Sequence, residues 1–182
     1  MPTTSERATI VVSTPPSSPR LVLAPVRANQ AVLDGGWWPR SWDPVAELPG
    51  LVLALSARYG TIRQLMLNNS TWDTRFRRIA VGDGVVRVGW FASVDPAVVI
   101  ATTYGGDQVD LLVVPPPTAP AAADKMIAEA ADPANFTRAQ AILAVMTAVP
   151  APVEVADDEQ PAWVNEGGST LAPARRAFSP AR

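Results

Sequence analysis

Apolar and polar positions change their period several times along this chain, and each change predicts an element. Arg20-Leu21-Val22-Leu23-Ala24-Pro25 is a short apolar run that reads as a first strand. Residues 33–41, Leu-Asp-Gly-Gly-Trp-Trp-Pro-Arg-Ser, have no period and are punctuated by glycines and a proline, which predicts a loop. Asp43-Pro44 then opens a helix, because the Asp oxygen can cap free amides and Pro at the first helical position needs no amide partner. Val45, Leu48, Val52, Leu55 and Tyr59 form one apolar stripe, Gly60 supplies the stop, and Pro49 predicts a kink or restart.

Past Gly60 the period falls to two, giving strands over 61–67 and 77–81. With Asp83-Gly84 as a two-residue turn, Val81 faces Val86, Ile79 faces Val88 and Arg77 faces Trp90 on the core side. Ala80 against Arg87 and Arg78 against Gly89 make the opposite, polar side. A second hairpin joins 97–104 to 108–114 through Gly105-Gly106-Asp107, and Pro115-Pro116-Pro117 ends the sheet. Thr118 and Thr137 are the caps expected for two further helices, with Ala123, Met126, Ile127 and Ala130 buried on the first and Ala139, Ile142, Leu143 and Met146 on the second. The fold class is α+β: a mostly antiparallel sheet of about five to six strands, one helix after the first strand, and two C-terminal helices, with the helices on one face.

Composition adds boundaries. Prolines number 19 in 182 residues, about twice the usual roughly 5%, and they crowd the two ends. Residues 1–19 and 149–182 also lack any apolar period, so they are expected as a flexible N-terminal tail and a disordered, acidic, Pro-rich C-terminal tail around a single domain over 20–148. No segment has a leader pattern or the apolar length of a membrane span, which predicts a soluble cytoplasmic protein without a membrane partner.

Chemistry is narrowed by what is missing. The sequence has no Cys and no His, so thiolate and imidazole catalysis and the usual zinc ligands are out of reach, and neither a metal site nor a cofactor is expected. Fifteen Lys and Arg stand against 17 Asp and Glu. Between residues 20 and 148 the charges balance at 11 of each sign, which argues against a long-range field for nucleic acid.

Several strings together are similar to a known family: Leu33-Asp34-Gly35-Gly36-Trp37-Trp38-Pro39-Arg40-Ser41, Glu47-Leu48-Pro49, Val88-Gly89-Trp90-Phe91, Asp110-Leu111-Leu112-Val113-Val114-Pro115-Pro116 and Asp132-Pro133-Ala134-Asn135. They resemble an actinobacterial family of small proteins known only as a domain of unknown function, over roughly 20–147. The resemblance implies one domain of actinobacterial, cytoplasmic origin, and no activity, substrate or cofactor.

Three sets of residues are candidates for function. Asp34, Trp37, Trp38, Arg40 and Trp42 put three indoles, a guanidinium and paired glycines into one short stretch, as a stacking platform with an anion clamp would need. This makes a non-catalytic module binding a protein or small molecule, with a homodimer allowed, the leading reading; the competing expectation buries the indoles and pairs Arg40 with Asp34 or Asp43. Arg75, Arg78 and Arg87, with Phe91 on the same sheet face, form an anion or single-stranded nucleic-acid surface in a second reading. Asp34, Asp43, Asp73, Asp107 and Asp110 are the parts for a small enzyme built on carboxylates and arginine, at no diagnostic spacing.

Overall fold

A computed structural model describes residues 9–26 and 31–148. Met1–Pro150 make one compact unit, and Ala151–Arg182, set apart as a second, lie outside the described residues together with the C-terminal tail expectation. The strands are β1 (Thr9–Val11), β2 (Arg20–Leu23), β3 (Gly35–Trp38), β4 (Ile62–Asn68), β5 (Arg78–Val81), β6 (Gly84–Phe91), β7 (Val98–Thr103) and β8 (Gln108–Val113). The helices are α1 (Pro44–Tyr59), α2 (Pro120–Ala130) and α3 (Ala139–Ala148). No helix among the described residues is long and apolar enough to cross a membrane.

The fold is α+β, but its sheet has eight strands and is mixed, in the order β1-β5-β6-β4-β7-β8-β3-β2. Three neighbouring pairs are parallel: β1 with β5, β4 with β6, and β3 with β8. The expected antiparallel sheet of five to six strands misses β1 and β3. Thr9–Val11, inside the segment read as a tail, pairs with Arg78–Ala80 as an edge strand. The first helix follows the third strand rather than the first.

Helices cover both faces, also against expectation. Leu48, Leu51, Val52 and Leu55 of α1 pack with Leu65, Leu67, Ile79, Val86, Val88, Val109, Leu111 and Val113 into the larger core. Leu112 of β8, Val114 just past its end and Trp38 of β3 point the other way and pack with Ala123, Met126, Ile127 and Ile142 from α2 and α3. A strand covered on both faces needs no polar alternation. That is why β3, buried at all four positions, escapes a period-two reading.

Its glycines serve packing. A Cβ on Gly35 would lie 2.3 Å from the Val22 carbonyl oxygen, and one on Gly36 would lie 2.5 Å from the Ile127 Cα, so only glycine lets β2 and α2 come this close. Helix α1 starts as its sequence predicts: Asp43 Oδ1 accepts a hydrogen bond from Val45 N at 2.9 Å, with Pro44 at the first position. Pro49 lies inside a helix that continues unbroken to Tyr59. At α2 the cap is Ala119, with no side-chain hydrogen bond, and Pro120 sets the start instead of Thr118.

The β5–β6 turn falls one residue earlier than Asp83-Gly84. Val81 pairs with Gly84, Ala80 with Val85, Ile79 with Val86 and Arg78 with Arg87, while Gly82 takes a positive φ of 55°. Moving the turn by one residue shifts the register by two, so Ile79, Val81, Val86 and Val88 stay on the core side and Arg78 and Arg87 on the other, whereas Arg77, expected on the core side, lies before β5 and is exposed. Arg78 and Arg87 therefore share the polar face, directly opposite one another.

Gly36→Ala tests the close approach of α2. Overpacking against backbone costs about 1–3 kcal/mol, so the urea midpoint is expected to fall with an unchanged slope; a midpoint equal to wild type would show that the sheet and α2 are not in contact at Gly36.

Candidate functional site

Two indoles of the Trp-rich segment are sealed and the third, Trp42, is half-buried. Trp37 is 0% exposed and Trp38 7%, because adjacent residues of β3 project into the two opposite cores. Trp37 stacks on Trp72 with centroids 5.6 Å apart, and Trp42 meets the same Trp72 edge-on at 5.3 Å. The Trp38 indole donates to the Pro116 carbonyl at 3.3 Å. Trp37 Nε1 has no hydrogen-bond partner among the described residues, a cost accepted in exchange for the apolar burial of the ring. The expectation of indoles held toward solvent is thus corrected by the helices that cover both faces of β3.

The cation over an indole is Arg20, which the sequence reading did not single out. Its Cζ sits 3.4 Å from the Trp38 ring centroid, and its guanidinium donates to the carbonyls of Trp38 and Pro39 at 3.0 and 2.7 Å. Burial, then the neighbouring Arg40 charge, lower its pKa from the usual arginine value, with Glu47 and Asp124 acting in the opposite direction. Arg40 is exposed and donates to the Ser18 carbonyl at 2.9 Å, pairing with neither Asp34 nor Asp43. Asp34 closes the start of β3: its carboxylate accepts from Asp110 N at 2.9 Å, and its own amide donates to Asp110 O at 2.7 Å. Buried Glu47 accepts from Ser41 N and Ser41 Oγ, both at 3.1 Å. Arg20, Arg40 and Glu47 thus bond to main chain and to Ser41 around the corner between β3 and α1, while Asp34 ties β3 to β8.

The arginine candidates have a different setting. Helices α2 and α3 cover the second face around β3, β8 and the start of β7, where Val98 packs against the smaller core, leaving the outer faces of β5, β6 and β4 uncovered. Here lies a groove of about 990 Å³, lined by Arg75, Arg77, Arg78 and Arg87 together with aromatic and amide side chains. Among the described residues, no carboxylate lines it. A smaller hollow of about 170 Å³ adjoins it, adding Arg63 beside Gln64, Arg87 and Tyr104.

Local chemistry builds the groove wall. Asn68 Oδ1 accepts from Ser70 N at 2.8 Å and Ser70 Oγ at 2.6 Å, while its amide donates to Val94 O at 2.6 Å, setting the turn after β4. Arg75 then donates to the Asn69 carbonyl at 3.0 Å. Trp90 Nε1 donates to Phe76 O at 2.6 Å and the two rings meet edge-on at 6.0 Å, anchoring the segment that carries Arg75, Arg77 and Arg78. On the floor, register aligns Arg78, Arg87, Gln64, Thr102 and Gln108 in one row across five neighbouring strands.

Electrostatically the row is unfinished. Like charges directly opposite across two strands destabilise them, and no carboxylate forms an ion pair with Arg78 or Arg87 among the described residues. An anion placed between the two guanidiniums would turn that repulsion into two charge-assisted hydrogen bonds. Two large rings border the row: Phe91 is 44% exposed and Tyr104 70%. Gly89 makes room for the first of these, since a Cβ there would lie 2.6 Å from Phe91 Cε2.

The carboxylates do not converge in the same way. Asp43 caps α1, Asp34 ties β3 to β8, and both oxygens of Asp110 accept from Gln108 Nε2 at 2.9 and 3.1 Å. No group of three or more Asp or Glu is placed to hold a metal among the described residues.

Fold and site together define a mixed-sheet α+β domain with helices on both faces and a cationic, ring-bearing groove where one face is left bare. The chain belongs to a family of unknown function, DUF5994, whose model matches residues 20–130. That match spans β2 to the end of α2 and so includes the whole groove. Comparison with curated proteins and with solved structures gives no match.

Trp38→Ala is expected to lower the unfolding free energy by about 3–5 kcal/mol, the usual cost of removing a buried Trp, whereas exposed Arg40→Ala should change it by less than about 0.5 kcal/mol. Chemical denaturation measures both, and a stable Trp38→Ala protein would contradict the buried placement.

Proposed function

We propose that the protein is a non-catalytic binding module whose working surface is the arginine groove over β4, β5 and β6, and that its ligand is a polyanion. One observation carries this reading: among the described residues, four arginines and no carboxylate line a single groove in a chain whose formal net charge is -2. Net charge gave little reason to expect a polyanion, but recognition at short range depends on the local set of charges, since salt screens exposed groups beyond about 10 Å. The Trp37-Trp38 segment serves this surface indirectly, by packing β3 between the helices on its two faces. A carboxylate enzyme is the weaker reading, because Asp43 is committed to a helix cap and Asp34 to a clamp, and no acidic side chain among the described residues lines the groove.

Retention on immobilised heparin tests the reading. The full-length protein should be retained at low salt and released as salt rises, and a double charge reversal, Arg78→Glu with Arg87→Glu, should flow through while keeping the wild-type melting curve. If four arginines each neutralise one phosphate of a flexible polyanion, log K should fall with log salt at a slope of about −3. Flow-through of the wild-type protein at low salt would refute the proposal.

A further inference from the structure

We infer that the polyanion is an unpaired nucleic-acid strand, held by its phosphates on the Arg78–Arg87 pair and by its bases on Phe91 and Tyr104. This rests on the arginine groove being the working surface. The argument begins with the rings. Large aromatics are normally drawn under cover, yet these two stand open on a sheet face already supplied with cations, and both line the same groove.

Their placement suits a polymer. Phe91 lies four residues beyond Arg87 on β6, while Tyr104 N bonds Thr61 O, three residues before Gln64, which is itself opposite Arg87. At about 3.3 Å per strand residue the two Cα positions stand roughly 20 Å apart, on either side of the arginine row. Stacked nucleotides rise about 3.4 Å each, so one mononucleotide could not reach both rings, whereas a short strand could. Gln64, level with Arg87, adds amide donors and acceptors between the rings, and Asn69 adds them beside Phe91, as base edges require.

Shape selects the unpaired form. Reading a duplex calls for a helix or a two-stranded ribbon that protrudes into a groove of the nucleic acid; this surface is itself concave and built on the faces of central strands. Bases of a single strand, in contrast, expose their faces and can stack on side chains lying on a sheet. An anionic membrane fits less well, since peripheral binding relies on an apolar face that enters the lipid, and an acidic peptide has no flat rings to use Phe91 and Tyr104.

Fluorescence anisotropy with labelled RNA and DNA oligonucleotides of about 12 residues, within the usual site-size range, tests this on the full chain. Either single strand should bind, with the corresponding duplex at least about tenfold weaker. Phe91→Ala and Tyr104→Ala should each weaken strand binding by about tenfold and lower the salt needed for heparin elution far less than the paired Arg78→Glu and Arg87→Glu reversal does. Gly89→Ala, which displaces the Phe91 ring without altering charge, should reproduce the Phe91→Ala loss; circular dichroism melting confirms that all three fold. Equal affinity for strand and duplex, ring variants without effect, or tighter binding to phosphatidylserine vesicles or a poly-glutamate peptide would overturn the inference. Heparin retention without oligonucleotide binding would remove the strand and leave the groove reading standing, while loss of both signals in the wild-type protein would remove the two together.

Discussion

The structure depends on β3 being covered from both sides. Four residues, Gly35-Gly36-Trp37-Trp38, lie between β2 and β8 and send one indole into each core. The glycines provide the missing volume: without side chains they let the Val22 carbonyl and the Ile127 backbone approach to distances that no other residue would tolerate. Small beside large within one strand is what allows two helical layers to close on the same sheet.

From this follows the asymmetry of the second face. Helix α2 is held over β3 by the Gly36 contact, and α3 packs beside it in the same smaller core. Neither extends to β5 and β6. The sheet is eight strands wide, and two short helices cannot cover it, so the side chains that point outward from the uncovered strands decide how the surface behaves. These include Arg78, Arg87 and Phe91, and they share a face because the pleat alternates with period two. Opposed arginines weaken a β pair, and a native sheet that keeps them has departed from a local rule of the kind often tied to function.

The Trp-rich corner and the arginine groove thus divide their work. Aromatic stacking among Trp37, Trp42 and Trp72, the Arg20 guanidinium on Trp38, and the Asp34 clamp make one rigid end of the domain. Polar contacts there are internal and satisfied, apart from the Trp37 indole nitrogen. At the other end the cations point outward. Clustering of aromatic and cationic residues in sequence marks both places equally; only one of them leaves those groups free to meet a ligand.

Much of the fold was legible because it rests on local chemistry. The Asp43 cap, the Gly60 stop, the period-two strands and the face shared by Arg78, Arg87 and Phe91 all follow from nearest neighbours and the pleat. Even the misplaced β5–β6 turn preserved those faces, since a register shift of two is silent to them. What sequence alone could not decide was coverage. Whether Trp37 and Trp38 face water, whether Gly35 and Gly36 admit a ligand or a helix, and whether Thr9–Val11 finds a partner all depend on segments distant along the chain. Burial is set by the meeting of surfaces in space, and that is fixed only when α1 and α2 close over opposite sides of one strand.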